Sequence, residues 1–91
     1  MELTFEWDNN KALANLKKHA VSFEEASSVF GDTLSVTVLD PLHSHAEDRF
    51  VTIGMSSSGK LLVVVHSDRG DRIRIVSARP ATTKERKDYE D

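Results

Sequence analysis

After Asp32 the hydrophobic period of this chain changes from helical to two, and that switch restricts the fold more than any single motif. In Leu34-Ser35-Val36-Thr37-Val38 apolar and polar residues alternate, as a strand with one wet face requires. A polar loop then runs from Asp40-Pro41 through Asp48, and Phe50-Val51-Thr52-Ile53 resumes as a strand. Ser56-Ser57-Ser58-Gly59-Lys60 reads as a turn. Leu61-Leu62-Val63-Val64-Val65 is apolar on both faces, which puts it in the middle of the sheet. Asp68-Arg69-Gly70-Asp71 is the next turn, Arg72 to Arg79 the last strand, and Pro80 its end. This is an antiparallel four-strand meander.

Before the switch the chain is helical. Asp8 is a good N-cap, with Trp7 placed to staple against Ala12. Leu13, Leu16 and Ala20 recur at helical spacing and form a narrow apolar stripe. Lys11, Asn15 and Lys18 share another face, with His19 one turn beyond Asn15, and that face is expected to be polar and cationic. Ser22-Phe23-Glu24-Glu25 is a capping box with Val21 as staple, so a second helix should run to about Phe30 and stop at Gly31. Phe5 and Trp7 alternate, which allows a short extra N-terminal strand. Thr82-Thr83-Lys84-Glu85 opens a short C-terminal helix with Arg86 and Tyr89 on one side. The expected fold is α+β: two N-terminal helices, an antiparallel four-strand sheet and a terminal helix, with the helices on one face. At 91 residues the chain is read as a single domain, 1–91, with a small core.

Composition narrows the chemistry. There is no cysteine, hence no thiolate nucleophile and no cysteine zinc site. No stretch is long and apolar enough to span a membrane, and the N-terminus carries acid where a secretion signal carries base, so a cytoplasmic soluble protein is expected. The formal net charge of -3 is unevenly spread. From Arg69 to Lys87 seven Lys/Arg face only Asp71 and Glu85, a local +5 of the kind phosphate binding needs.

In Arg72-Ile73-Arg74-Ile75-Val76-Ser77-Ala78-Arg79 the isoleucines point one way and Arg72 and Arg74 the other. The arginines either balance Asp68 and Asp71 on a solvated face or bind phosphate, to which a guanidinium fork is well matched. Lys17-Lys18-His19 closes the first helix, where the helix dipole alone favours cations, and His19 is the candidate for acid/base work. Glu47 and Arg49 sit at a loop-to-strand junction from which side chains reach an open sheet face. His43, His45, Glu47 and Asp48 are metal-ligand types, but no second cluster follows at a recognised spacing, so neither metal nor cofactor is expected. Gly54, Gly59 and Gly70 read as turn or strand glycines, not a phosphate loop.

Phe5-Glu6-Trp7-Asp8, Lys11, Asn15, Lys18-His19, Val21 and Phe23-Glu24-Glu25-Ala26 resemble the opening signature of the BrnT toxin family. Phe30, Asp32, Asp40, His43-Ser44, Glu47, Arg49 and Gly54 continue it, and Arg74-Ile75-Val76-Ser77-Ala78-Arg79, Ala81, Glu85-Arg86 and Tyr89 complete it. The resemblance covers nearly the whole chain in order. It implies a type II toxin, a small RelE-like ribonuclease that degrades RNA and halts growth. It also implies neutralisation by a BrnA antitoxin whose ribbon-helix-helix end binds operator DNA.

By the same resemblance Lys18, His19, Arg49, Arg74 and Arg79 are the family's cationic positions, and Arg79 and Tyr89 match common RelE-like active-site members. The expected reaction is metal-independent attack of the ribose 2′-hydroxyl on the adjacent phosphate. In it His19 or Glu47 takes the proton, Arg74, Arg79 and Lys18 stabilise the phosphorane, and Tyr89 or His19 protonates the leaving oxygen. Arg49 completes the catalytic set, and Lys11, Arg72, Arg74 and Arg86 are expected along the RNA. The alternative is a non-enzymatic module whose basic sheet face docks nucleic acid or an acidic protein.

Overall fold

The computed structural model describes residues 3–40 and 48–90. Along the chain these form β1 (Thr4–Glu6), α1 (Asn9–His19), α2 (Phe23–Ser28) running into a 3-10 turn at Val29–Gly31, β2 (Val36–Asp40), β3 (Arg49–Met55), β4 (Leu61–Arg69), β5 (Arg72–Pro80) and α3 (Thr83–Glu90). The sheet order is β1-β5-β4-β3-β2. The doubly apolar strand β4 is central, as its sequence requires, and its neighbours pair with it antiparallel. The short N-terminal strand is present and joins β5 in parallel, Thr4 opposite Arg72 and Glu6 opposite Arg74. None of the described helices is long and apolar enough to cross a membrane.

Val21, Phe23, Ala26 and Val29 pack onto Leu62 and Val64 of β4 and Ile75 and Ala78 of β5, with Phe5, Trp7, Ala12 and Phe30 at the margin. Alternation then sends Val63, Val65, Ser77 and Arg79 to the other face. A bulge between Val65 and His66 shifts the register, so that Arg74 and Arg79, five residues apart, share that second face. The helices are not all on one side. Glu85 of α3 binds Arg79, so the terminal helix lies on the opposite face from α1 and α2. Its charged residues meet the sheet at Arg79, on the margin of that face.

The inward face of α1 also differs from the expected one. Leu13 is 61% exposed and Leu16 48%, while Asn15 is only 7% exposed. β1 pairs with β5 only as far as Arg74, leaving the rest of that edge with free peptide groups. The Asn15 carboxamide fills the gap. It donates Nδ2–H to the carbonyls of Ala78 and Val21, each at 2.9 Å, and accepts the Ala78 amide at 3.0 Å. Asn15 is therefore not part of a solvated cationic face; it acts as a surrogate strand residue. The second helix is capped by Ser22 Oγ accepting the Glu25 amide at 3.0 Å. The Glu25 carboxylate does not close the box but accepts from Ser56 and Ser58, tying α2 to the β3–β4 turn.

Candidate nucleic-acid face and its ion pairs

The second face of the sheet is organised in rows fixed by the strand register. One row reads Glu6, Arg74, Ser67, Arg49, Asp40 across all five strands. Two further rows, Ser77-Val65-Val51-Val38 and Arg79-Val63-Ile53-Val36, are mostly apolar. Four residues separate Ser67 from Val63, so the Arg74 and Arg79 rows lie about 13 Å apart at about 3.3 Å per residue. Between β2 and α3 the face dips into a groove of about 540 Å³, floored by Val38, Val51, Ile53, Val63 and Val65 and walled by Ser77, Arg79, Glu85 and Asp88. Arg79 is the cation on the groove wall, among the acids Asp40, Glu85 and Asp88, and an arginine beside an apolar floor suits a nucleotide, with phosphate on the rim and base on the floor.

The arginines are not idle. Glu6 Oε2 accepts from Arg74 Nη1 at 3.0 Å and from Arg69 Nη1 at 3.5 Å, and its Oε1 lies 3.7 Å from Arg72 Nη1. Arg79 is held more tightly. Its Nη1 and Nη2 donate to the two Glu85 oxygens at 2.8 Å each, and Nη1 also reaches the Pro80 carbonyl at 3.2 Å. Arg79, by hydrogen bond and charge, pulls the Glu85 carboxyl down to about 2, and Glu85 raises the Arg79 guanidinium in return. Glu85 also closes the α3 capping box, accepting the Thr82 amide at 2.8 Å while its own amide binds Thr82 Oγ1 at 3.2 Å.

Of the residues expected at the site, Arg49, Arg72, Arg74 and Arg79 share this face. Tyr89 is on α3, but its hydroxyl donates to Asp32 Oδ2 at 2.5 Å, which raises the phenol and lowers the acid. Asp32 also accepts the amides of Met55 and Leu34, so Tyr89 anchors α3 to the turn before β2. Glu85, rather than Arg86, is the α3 residue turned toward the sheet with Tyr89, and Arg86 is exposed. Lys11 and Lys18 are exposed on α1, and His19 is half-buried beside Asn15, in the helical layer behind the sheet. The expected meeting of the helix-end histidine with the late arginines is thus not found among the described residues. Glu47, with His43 and His45, lies outside the described residues; Asp48 is exposed.

Glu6 and Glu85 set the geometry of the arginines, a role that their places in the family signature and in the α3 capping box do not disclose. The pairing of Glu85 with Arg79 across Pro80 follows no periodic pattern. His66 was not singled out in the sequence. This ring is 3% exposed, stacked on Phe50 and edge-on to Phe30. Its Nε2 is hydrogen-bonded to Thr52 Oγ1 at 2.8 Å, which in turn lies 2.7 Å from Thr37 Oγ1. Nδ1 lies 3.6 Å from Asp68, too far for a hydrogen bond, and burial lowers the ring's proton affinity. It is a core histidine on the helix face.

A comparison with curated proteins gives no match. Among solved structures the fold is similar to that of the Brucella abortus ribonuclease toxin, BrnT, with a TM-score of 0.65 and 21% identity over 90% of this chain and 100% of that one. The family profile described as ribonuclease toxin, BrnT, of type II toxin-antitoxin system matches residues 7–85, most of the chain. The chain belongs to the BrnT family of type II toxin-antitoxin systems, a membership that implies a toxin role and a protein antitoxin as partner.

Proposed function

We propose that this single domain cleaves RNA without a metal ion, on the open face of the sheet, and so arrests growth in the cytoplasm. The observation that carries the reading is the placement of Arg49, Arg72, Arg74 and Arg79 on one face of the sheet, with Arg79 on the wall of an apolar-floored groove. In this reading a base lies on the valines and isoleucine of the groove, and Arg79 binds the scissile phosphate. Arg74, Arg72 and Arg49 bind phosphates further along the strand. The ribose 2′-hydroxyl attacks the neighbouring phosphorus, and Arg79 offsets the charge that builds on the phosphorane. Lys18 and His19 sit in the other layer and are left out of this chemistry; Lys11 and Arg86 serve at most as distant phosphate contacts. Tyr89 holds α3 in place at the groove.

The partner in this reading is a BrnA-like ribbon-helix-helix antitoxin that covers the arginine face and carries the complex to operator DNA. One observation favours a second reading. Arg74 and Arg79 are each held by an acid, as they would be on a docking surface without turnover. Turnover separates the two. Substoichiometric purified protein with excess RNA and a chelator should degrade the RNA, and Arg79→Ala should remain folded but neither cleave nor arrest growth. A mobility shift without degradation would favour the binding module, and cleavage that requires added divalent metal would remove the metal-free mechanism.

A further inference from the structure

We infer that Glu85 is the general base of this reaction, freed from Arg79 when the scissile phosphate takes its place; the role rests on the nuclease reading above. Four observations carry it. The Arg79–Glu85 pair lies on the wall of the groove, where 40% of the Arg79 side chain and 26% of Glu85 remain open to solvent. Arg79 spends both terminal nitrogens on the two carboxylate oxygens, the same planar edge that would grip a phosphate, so the two anions compete for one fork. Glu85 has a second anchor, the Thr82 amide, so displacement from Arg79 leaves it beside the bound phosphate rather than swinging into solvent. Arg79 is also the main reason the carboxyl is a weak base before substrate arrives, and the remaining burial acts in the opposite sense.

The Glu85 carboxylate takes the proton of the 2′-hydroxyl as the O2′–P bond forms. The P–O5′ bond breaks, and O5′ takes a proton from water. The hydroxide left behind is neutralised by the Glu85 proton, giving a 2′,3′-cyclic phosphate and a 5′-hydroxyl. The base therefore gains strength only when a phosphate is in place, and the resting ion pair keeps the groove inert toward other hydroxyls.

A purely structural Glu85 would cap α3 and do nothing else. Glu85→Gln distinguishes the two roles, because glutamine also closes a capping box but takes no proton. The full chain and this variant are assayed on an RNA oligonucleotide in chelator from pH 4 to 8, and binding is measured with the 2′-deoxy oligonucleotide of the same sequence. Glu85→Gln should lose about 10²–10⁴-fold in kcat. It should bind the deoxy strand at least as tightly as wild type, since no anion now competes for Arg79. Glu85→Asp should recover part of the loss. In the wild type, kcat should fall on the acid side through the ordinary carboxylate range, while kcat/KM, which reports the free protein, should stay level there. Glu85→Gln cleaving within about threefold of wild type would overturn the role. So would a wild-type kcat that is level across that range, a result that decides the matter even if the variant does not fold. Should the wild type fail to cut RNA, the nuclease reading falls and this role with it; should it cut while Glu85→Gln keeps pace, only the role of Glu85 falls.

Discussion

Asn15→Ala is predicted to be among the most damaging single truncations on α1, although the residue is polar. Its side chain makes three hydrogen bonds, all to backbone groups of Val21 and Ala78, and is 7% exposed. A hydrogen bond contributes about 1 kcal/mol net, and a buried group left unpaired costs about 1–3 kcal/mol. Because truncation opens a sheet edge that water can enter, the net value of about 1 kcal/mol for each of the three bonds applies, and the loss should be about 3 kcal/mol. For a domain of this size each kcal/mol moves Tm by about 4–8 °C, so the midpoint should drop by more than about 10 °C. Leu13→Ala and Leu16→Ala, by contrast, should each cost under about 1 kcal/mol, because both residues are about half exposed. Urea denaturation of the three variants measures the free-energy losses, and a thermal melt of Asn15→Ala measures the shift in Tm. An Asn15→Ala loss below about 1 kcal/mol, or a larger loss at Leu16, would refute the assignment of the inward face.

Gly54→Ala should destabilise by about 1–3 kcal/mol without any backbone strain, since a Cβ there would stand 2.7 Å from Val29 Cγ1 and 2.9 Å from Ser35 Cβ; a neutral result in thermal denaturation would mean the 3-10 turn moves freely. Ala20→Gly should stabilise by up to about 1 kcal/mol, because Ala20 ends α1 with φ +58°, where glycine has no steric penalty; a lower Tm would count against that cap. Stability should also decline below about pH 6.5. Burial lowers the proton affinity of folded His66, so its contribution is complete above the ordinary histidine pKa and is lost as acid protonates the unfolded chain first. Denaturant titrations from pH 8 to 5 on wild type and His66→Gln check this, and equal pH slopes would contradict it.

Much of the fold was legible because strands announce themselves through alternation. The doubly apolar Leu61–Val65 placed β4 at the centre, and Asp8 capped α1 as its position suggested. The wheel of α1 misled because apolar residues normally face the core, whereas here a free strand edge needed a polar partner more than the core needed two leucines. The same limit applies at the site. Alternation placed Arg72 and Arg74 together, and the bulge that brings Arg79 onto their face has no sequence signature. The acids Glu6 and Glu85 become partners only once β1 and α3 have docked, through contacts 68 and 6 residues apart in sequence. His19 was expected at the site from its chemistry and from the family signature, and the packing of Asn15 on α1 puts it in the other layer.

In the proposed reaction the arginine-lined face transfers a phosphoryl group to a neighbouring ribose oxygen without metal. Identification of the chain ends left on RNA by the purified protein in chelator tests it most directly. The expected ends are 2′,3′-cyclic phosphate and 5′-hydroxyl, both absent with Arg79→Ala. Products bearing 5′-phosphate, or the same ends formed at the same rate by a folded Arg79→Ala variant, would contradict it.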